Sequence, residues 1–134
     1  MLDLDLATLL QVWGKTDRSK PHPRPFHPLL CHLIDVAMVA LALWEEGLTS
    51  ARTTWLAQAL GLAPADAGRW VAFLAGVHDL GKATPGFQAK DSGGEQRLRA
   101  AGLLDAVVAE APHGLLSTDL LRRLLVGLSP RTWG

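Results

Sequence analysis

The longest apolar stretch of the sequence, Leu29 to Trp44, lies between Pro28 and Gly47. Proline favours the first position of a helix and glycine its C-terminal cap, so the stretch predicts one helix between these two residues. Since nearly all of its residues are apolar, we expect this helix to be central and buried on most of its surface. It is shorter than the roughly 20 residues that cross a bilayer, and His32 and Asp35 interrupt it. A core helix is therefore expected, and a membrane span is not.

Apolar residues at helical spacing, with glycine or proline near the ends, predict helices along the rest of the chain. They are expected over residues 2–13, 50–60, 64–80, 85–88, 95–110 and 117–128. Residues 91–94 are expected to form a mobile turn. Hydrophobic residues make up 49% of the chain and tyrosine is absent, which also favours packed helices. The sequence therefore predicts an all-α fold in a single domain over residues 1–134.

Residues 15–28 carry four prolines and four basic residues, and we expect them to form an extended surface loop. One interpretation is that the basic residues contact a phosphate backbone or a partner protein. The other is that the segment is a solvated connector, which the charge pattern alone favours.

The composition limits the classes of function. Lysine plus arginine and aspartate plus glutamate both number 13, so no net charge attracts nucleic acid or anionic membrane to the whole surface. The single cysteine, Cys31, excludes an internal disulfide and an all-cysteine zinc site, and it fits a reducing compartment. The N-terminus has acidic residues where a signal peptide has basic ones. We therefore expect a cytoplasmic protein whose contacts with nucleic acid are local.

Two groups of polar residues interrupt apolar helices. His32 and Asp35 are three residues apart, so they lie on adjacent turns and can act together. If buried, they need a metal ion, each other or backbone groups as partners, and taken alone they are compatible with a purely structural pair. The second group, residues 78–82 (His-Asp-Leu-Gly-Lys), follows the apolar run 71–77 and is more specific. Its imidazole and carboxylate offer mixed nitrogen and oxygen donors, which suit a transition metal better than calcium.

A family resemblance is carried by four segments: WGKT (13–16), HPLLCHLIDVAMVALALWE (27–45), FLAGVHDLGKATPGFQ (73–88) and PHGLLSTDLL (112–121). In order and spacing they resemble the successive motifs of the HD nuclease domain of CRISPR-associated type I helicase-nucleases. The resemblance covers essentially the whole chain. It implies an HD-domain helical bundle, of which this chain is similar to the front part only.

The resemblance also implies a site. By it, His32, His78, Asp79 and His113 are metal ligands, Asp79 and Lys82 take part in catalysis, and Asp35 orients a ligand histidine. The cofactor is expected to be one or two divalent ions of manganese, nickel, cobalt or iron. Such an ion activates water for attack on a phosphodiester, and the lysine stabilises the negative charge that develops on phosphate oxygens.

Three hypotheses about function follow. In the first, the chain is a metal-dependent nuclease domain for single-stranded DNA that works with a helicase in type I CRISPR interference. The resemblance implies that an adjacent histidine pair and a later aspartate complete the family's two-metal site, and this sequence has no adjacent histidine pair. In the second, the chain is a docking module or inhibitor that binds the RNA-guided surveillance complex, or a second copy of itself. The third is a small HD phosphohydrolase that acts on nucleotides.

Overall fold

The computed structural model describes residues 5–104 and 111–128. Within these ranges a π-helical turn (Leu43–Gly47) and a 3₁₀ turn (Leu80–Ala83) accompany seven α-helices and two strands. In chain order these are α1 (Leu6–Leu9), β1 (Trp13–Thr16), β2 (Phe26–Pro28), α2 (Leu29–Ala42), α3 (Ser50–Leu60), α4 (Pro64–Gly76), α5 (Pro85–Gln88), α6 (Ser92–Ala100) and α7 (His113–Leu128). The predicted all-α class is confirmed, with a small β-hairpin in addition.

The described residues form two compact units. The first comprises residues 5–31, 78–104 and 111–128, and the second comprises residues 32–77. Helix α2 begins in the first unit and continues into the second. None of the helices in the described ranges is both long enough and apolar enough to cross a bilayer.

The core of the second unit is built around Trp44, which packs with Ala57 of α3 and Ala67 of α4. Gly68 brings the α4 backbone against the indole, because a Cβ atom at this position would lie 2.7 Å from the Trp44 ring. Helix α3 runs from Ser50 to Leu60 as predicted. It ends in Gly61, whose φ of 67° is a left-handed conformation that glycine adopts without strain.

Helix α2 differs from its prediction, because it is not buried on most of its surface. Only Leu29 is fully buried among its residues, and Ile34, Met38 and Val39 are each more than half exposed. The reason is that one face of the helix packs on α4, where Gly76 approaches Ala37. Residues one position further along the helix are rotated by about 100° from that face. Pro28 also belongs to β2, so the helix begins one residue later than predicted.

The N-terminal helix predicted over residues 2–13 is wrong for its described part. Helix α1 is a single turn, capped by the Asp5 side chain, and Trp13 begins a strand. Strand β1 pairs antiparallel with β2, with Lys15 opposite His27 and Thr16 opposite Phe26. Periodicity misleads here because the backbone groups of Trp13 bond to a residue 75 positions away rather than within a helix. The predicted loop 15–28 is therefore a hairpin, whose loop follows Thr16 and ends before Phe26.

Gln88 joins this hairpin to the 3₁₀ turn. The side chain is 0% exposed, and its oxygen accepts a hydrogen bond from the Trp13 backbone N–H at 3.0 Å. Its amide nitrogen donates to the carbonyl oxygens of Trp13, at 2.8 Å, and of Lys82, at 2.7 Å. The Gln88 carbonyl accepts the Trp13 indole N–H at 3.0 Å. One buried amide thus satisfies backbone groups of two separate elements.

The boundaries of the later helices also shift from their predictions. Helix α4 ends at Gly76 rather than residue 80, and Gly81 lies inside the 3₁₀ turn. The expected mobile turn 91–94 is the start of α6, because the Asp91 side chain accepts the Gly94 N–H at 3.0 Å and caps that helix. Helix α6 ends at Ala100, and residues 105–110 of the predicted helix lie outside the described ranges. Helix α7 begins at His113, four residues earlier than predicted.

Replacing Gln88 by alanine is expected to lower the free energy of unfolding by at least about 3 kcal/mol. The substitution leaves three buried backbone groups without their partner, at a cost of about 1–3 kcal/mol each. Urea unfolding of the wild type and the variant measures the change. Gln11, whose exposed amide bonds only to the Ala7 carbonyl at 3.4 Å, is the matched control and should change stability by less than about 0.5 kcal/mol as Gln11→Ala. Equal losses for the two variants would contradict the role given to Gln88.

Gly81→Ala is expected to destabilise the chain by about 1–3 kcal/mol or more, because a Cβ atom would overlap the backbone of α7. That atom would collide with the His113 carbonyl oxygen and lie 2.7 Å from the Ser117 nitrogen. The matched control is Gly127, which lies on α7 itself and has nothing within 4 Å of an added Cβ. Gly127→Ala should therefore raise the free energy of unfolding by up to about 1 kcal/mol. Thermal unfolding measures the melting temperature of both variants. Melting temperatures that change in the same direction would contradict the prediction.

Candidate metal centre

Asp79 is the centre of a cluster of charged and imidazole side chains in the first unit. The residue is only 6% exposed. Its Oδ2 lies 2.6 Å from the Lys82 ammonium and 3.1 Å from Nε2 of His78. Its Oδ1 lies 3.3 Å from Nε2 of His113. Four residues that the sequence predicts as site residues are therefore brought together here.

The local sequence explains why His78, Asp79 and Lys82 meet. Helix α4 ends at Gly76, so His78 and Asp79 lie in the turn that follows it rather than on a regular helix. The Asp79 carbonyl accepts the Lys82 N–H at 2.9 Å and starts the 3₁₀ turn. Residues three apart eclipse one another in a 3₁₀ helix, which directs the lysine back over the carboxylate. The ammonium also donates to the Gly14 carbonyl of β1 at 3.4 Å.

His113 reaches Asp79 from a distant part of the chain, as the first residue of α7. Ser117 holds this helix end against the 3₁₀ turn. Its hydroxyl accepts the Gly81 N–H at 2.8 Å and donates to the His113 carbonyl at 2.9 Å. The His113 ring also packs edge-on against Phe87, with 5.4 Å between ring centroids. The histidine is therefore fixed through both its backbone and its ring.

The donors of this cluster fit a transition-metal ion. Two donors that each lie about 2.1 Å from one ion are separated by roughly 3.0–3.4 Å for ligand angles between about 90° and 109°. The distance from Asp79 Oδ2 to the His78 imidazole, 3.1 Å, and that from Asp79 Oδ1 to the His113 imidazole, 3.3 Å, fall in that range, each at a different carboxylate oxygen. Both imidazoles are also close to half exposed, which leaves access from solvent. Imidazole nitrogen together with carboxylate oxygen suits manganese, iron, cobalt, nickel or zinc.

The other two predicted site residues lie on α2 in the second unit. His32 is half-buried and Asp35 is exposed. The interpretation of this pair as a buried imidazole and carboxylate is therefore wrong for Asp35 and only partly right for His32. Their predicted roles, as a ligand and as the group that orients a ligand, stay predictions.

Ser117 and Gln88 are positioning residues that the sequence alone does not reveal. Both use their polar atoms on backbone groups of elements distant in sequence, and neither type of side chain stands out in an amphipathic helix. A weak signal exists for Ser117, since it lies one helical turn after His113 and faces the same direction.

Ser117→Ala is expected to lower the free energy of unfolding by about 1–3 kcal/mol, because the buried Gly81 N–H loses its acceptor. Thr118 makes the same type of bond at an exposed position, from its hydroxyl to the Gly114 carbonyl at 3.0 Å. Thr118→Ala is therefore the matched control and should change stability by less than about 0.5 kcal/mol. Urea unfolding measures both, and a loss in the control as large as in Ser117→Ala would refute the assignment.

The chain is similar in sequence to known proteins. A family model described as "Cas3, HD domain" matches residues 13–132. The CRISPR-associated endonuclease/helicase Cas3 of Thermus thermophilus is 40% identical over 117 residues, which are 87% of this chain and 12% of that protein. The CRISPR-associated endonuclease/helicase Cas3 of Escherichia coli is 30% identical over 84 residues, 63% of this chain and 9% of that protein.

A solved structure is also similar to the chain. It is described as "Crystal structure of CRISPR-associated protein", and it matches with a TM-score of 0.75 and 38% sequence identity. The match covers 90% of this chain and 13% of the solved one. The chain thus spans about a tenth of the length of the curated relatives that it matches.

Proposed function

This chain belongs to the Cas3 HD domain family, and on that premise we propose that it is a metal-dependent nuclease domain that cleaves single-stranded DNA. Residues 1–134 would then act as part of one HD-type domain. The observation that carries the proposal is the buried Asp79 carboxylate, which two imidazoles and one ammonium face at 2.6–3.3 Å. A purely structural ion pair needs only one cationic partner, so two imidazole nitrogens beside the same carboxylate support the proposal of a ligand set.

We propose that His32 joins His78, Asp79 and His113 as a fourth ligand. His32 and His78 each offer an imidazole nitrogen and Asp79 a carboxylate oxygen, a set of ligand atoms that could hold a metal ion. Asp35, one turn further on, would orient the His32 ring.

The residues have distinct roles in this proposal. A divalent ion bound there supplies Lewis acidity, which promotes the attack of water on a phosphodiester. The imidazoles of His78 and His113 act in their neutral form, as electron-pair donors from Nε2. Asp79 contributes the negative charge that favours a cation over neutral ligands. Lys82, paired with Asp79, is close enough to place a fixed positive charge beside a scissile phosphate and to stabilise the charge that develops on its oxygens.

The second candidate function is docking, with or without catalysis, and apolar surface on α7 favours it. Leu115, Leu124, Leu125 and Val126 are each more than a third exposed on this helix. Exposed apolar side chains in one element are typical of a surface that another protein covers. The partners we propose are a helicase, the RNA-guided surveillance complex of type I CRISPR systems, or a second copy of this chain.

The purified chain is expected to contain manganese, iron, cobalt or nickel by elemental analysis and to cut circular single-stranded DNA when one of these ions is added. His78→Ala and Asp79→Asn should each lower the cleavage rate by at least about 100-fold, since the first removes a nitrogen donor and the second removes the negative charge of the carboxylate. His32→Ala should lower the metal content as well. Lys82→Gln should retain the metal and lose turnover. His22→Ala, in the exposed hairpin loop, is the matched histidine control and should behave as the wild type.

The outcomes separate the two candidate functions. If the wild type takes up no metal and cuts no DNA, the nuclease proposal is wrong. Capture of the surveillance complex by that same inactive chain, unchanged in His78→Ala, would then support docking. If the substitution abolishes capture, the metal site is needed for binding and docking without metal is wrong.

A further inference from the structure

A groove beside the candidate metal centre carries a local concentration of positive charge. Its cavity has a volume of about 440 Å³ and lies in the first unit, between β1, the segment after it and α5. Lys82 and His113, which contact Asp79, are among the residues that line it. Three further basic residues, Lys15, Arg18 and Lys90, also line it. We call the space lined by these five residues the cationic groove.

The electrostatics of the groove favour an anion. None of the described residues that line it is acidic, although the chain as a whole has equal numbers of acidic and basic residues. Lys82 has Asp79 as its partner at 2.6 Å, so much of its charge is balanced. Lys15, Arg18 and Lys90 also line the groove, and each of these basic residues is exposed. The net charge of the whole chain does not attract a nucleic acid, but the positive charge of this groove would attract its phosphates.

The aromatic side chains of the groove are engaged with the protein. Phe87 packs on the Trp13 ring at a centroid distance of 4.7 Å and on the His113 ring at 5.4 Å. The ammonium groups of Lys82 and Lys90 lie 5.7 and 4.8 Å from its centroid. Trp13 is buried. Base stacking needs an open aromatic face, so these rings are poorly suited to it, and the groove offers charge rather than a stacking platform.

The Gln88 amide fixes the position of β1, which carries Lys15, relative to the 3₁₀ turn that carries Lys82. This side chain bonds to the carbonyl of Trp13 at 2.8 Å and to that of Lys82 at 2.7 Å. Lys82 in turn donates to the Gly14 carbonyl at 3.4 Å. Lys15 directly follows Gly14 on β1, so its position is tied to the turn that carries Asp79 and Lys82.

We propose that Lys15, Arg18 and Lys90 bind successive phosphates of a single-stranded polynucleotide and lead the strand to the phosphodiester that is cut beside Asp79. This proposal rests on the proposed nuclease function and names how that site holds its substrate. Binding would depend on the backbone rather than on the bases, because the charged groups reach phosphates and the rings are engaged. It favours the first of the two interpretations of the basic segment 15–28.

The test compares the full chain with K15Q/R18Q/K90Q by fluorescence anisotropy of a labelled (dT)20 oligonucleotide over a series of salt concentrations. EDTA is present, so that neither metal nor cleavage contributes. Each phosphate contact on a single strand adds about 0.7 to the slope of log K against log salt. The triple variant should therefore lose about 2 from this slope and bind at least about tenfold more weakly at low salt.

Two further variants control for charge and for folding. R52Q/R69Q/R122Q removes the same charge from exposed positions on α3, α4 and α7 that do not line the groove, and it should keep most of the affinity and slope. K15Q/R18Q leaves the contact of Lys90 with Phe87 intact and should lose about 1.4 from the slope. The proposal is overturned if the wild type does not bind (dT)20, or if the triple and control variants lose the same affinity.

A small substrate distinguishes this proposal from the nuclease proposal. Bis(p-nitrophenyl) phosphate has one phosphodiester and cannot extend along the groove, so its hydrolysis by the wild type with manganese reports on the metal centre alone. If no variant hydrolyses the diester but the anisotropy results are as expected, the nuclease proposal is wrong and the groove still binds the strand.

Discussion

The burial of the Asp79 carboxylate is the constraint on which the first unit depends. A carboxylate that is 6% exposed has lost most of its hydration, and the cost is recovered only if positive or hydrogen-bonding groups take the place of water. Lys82 and His78 are close to it in sequence, but His113 comes from 34 residues further along (113 minus 79). The turn that carries Asp79 must therefore be held against α7. Ser117 performs that task, because its hydroxyl bonds to both sides of the junction.

The parts of the fold that could be predicted are those that local signals specify. Helix α3 is the clearest case, because Gly61 adopts a left-handed conformation at the end that the sequence predicts. Trp13 shows the limit of periodicity. Its spacing from Leu6 fits a helix, but its backbone bonds to the Gln88 side chain, and that long-range interaction outweighs local preference. The apolar sequence of α2 indicated a helix correctly but not how much of its surface other elements cover, since that depends on packing.

The site was predictable to the extent that it is local. His78, Asp79 and Lys82 lie within five residues, so the sequence predicts that they act together, and the 3₁₀ turn brings them into contact. His113 could be assigned only through the resemblance to a family, because nothing near it in the sequence indicates where α7 returns. Ser117 was missed for the same reason. Its role comes from hydroxyl bonds to backbone groups on both sides of the junction, and only its spacing of one helical turn from His113 hints at that role.

Gln88 has consequences for anyone who redesigns this domain. Glutamate has nearly the same shape but lacks the amide N–H groups that the carbonyls of Trp13 and Lys82 accept. Methionine fills the volume but offers neither a strong donor nor a strong acceptor. Position 88 therefore has to be held fixed for its bonding pattern rather than its size.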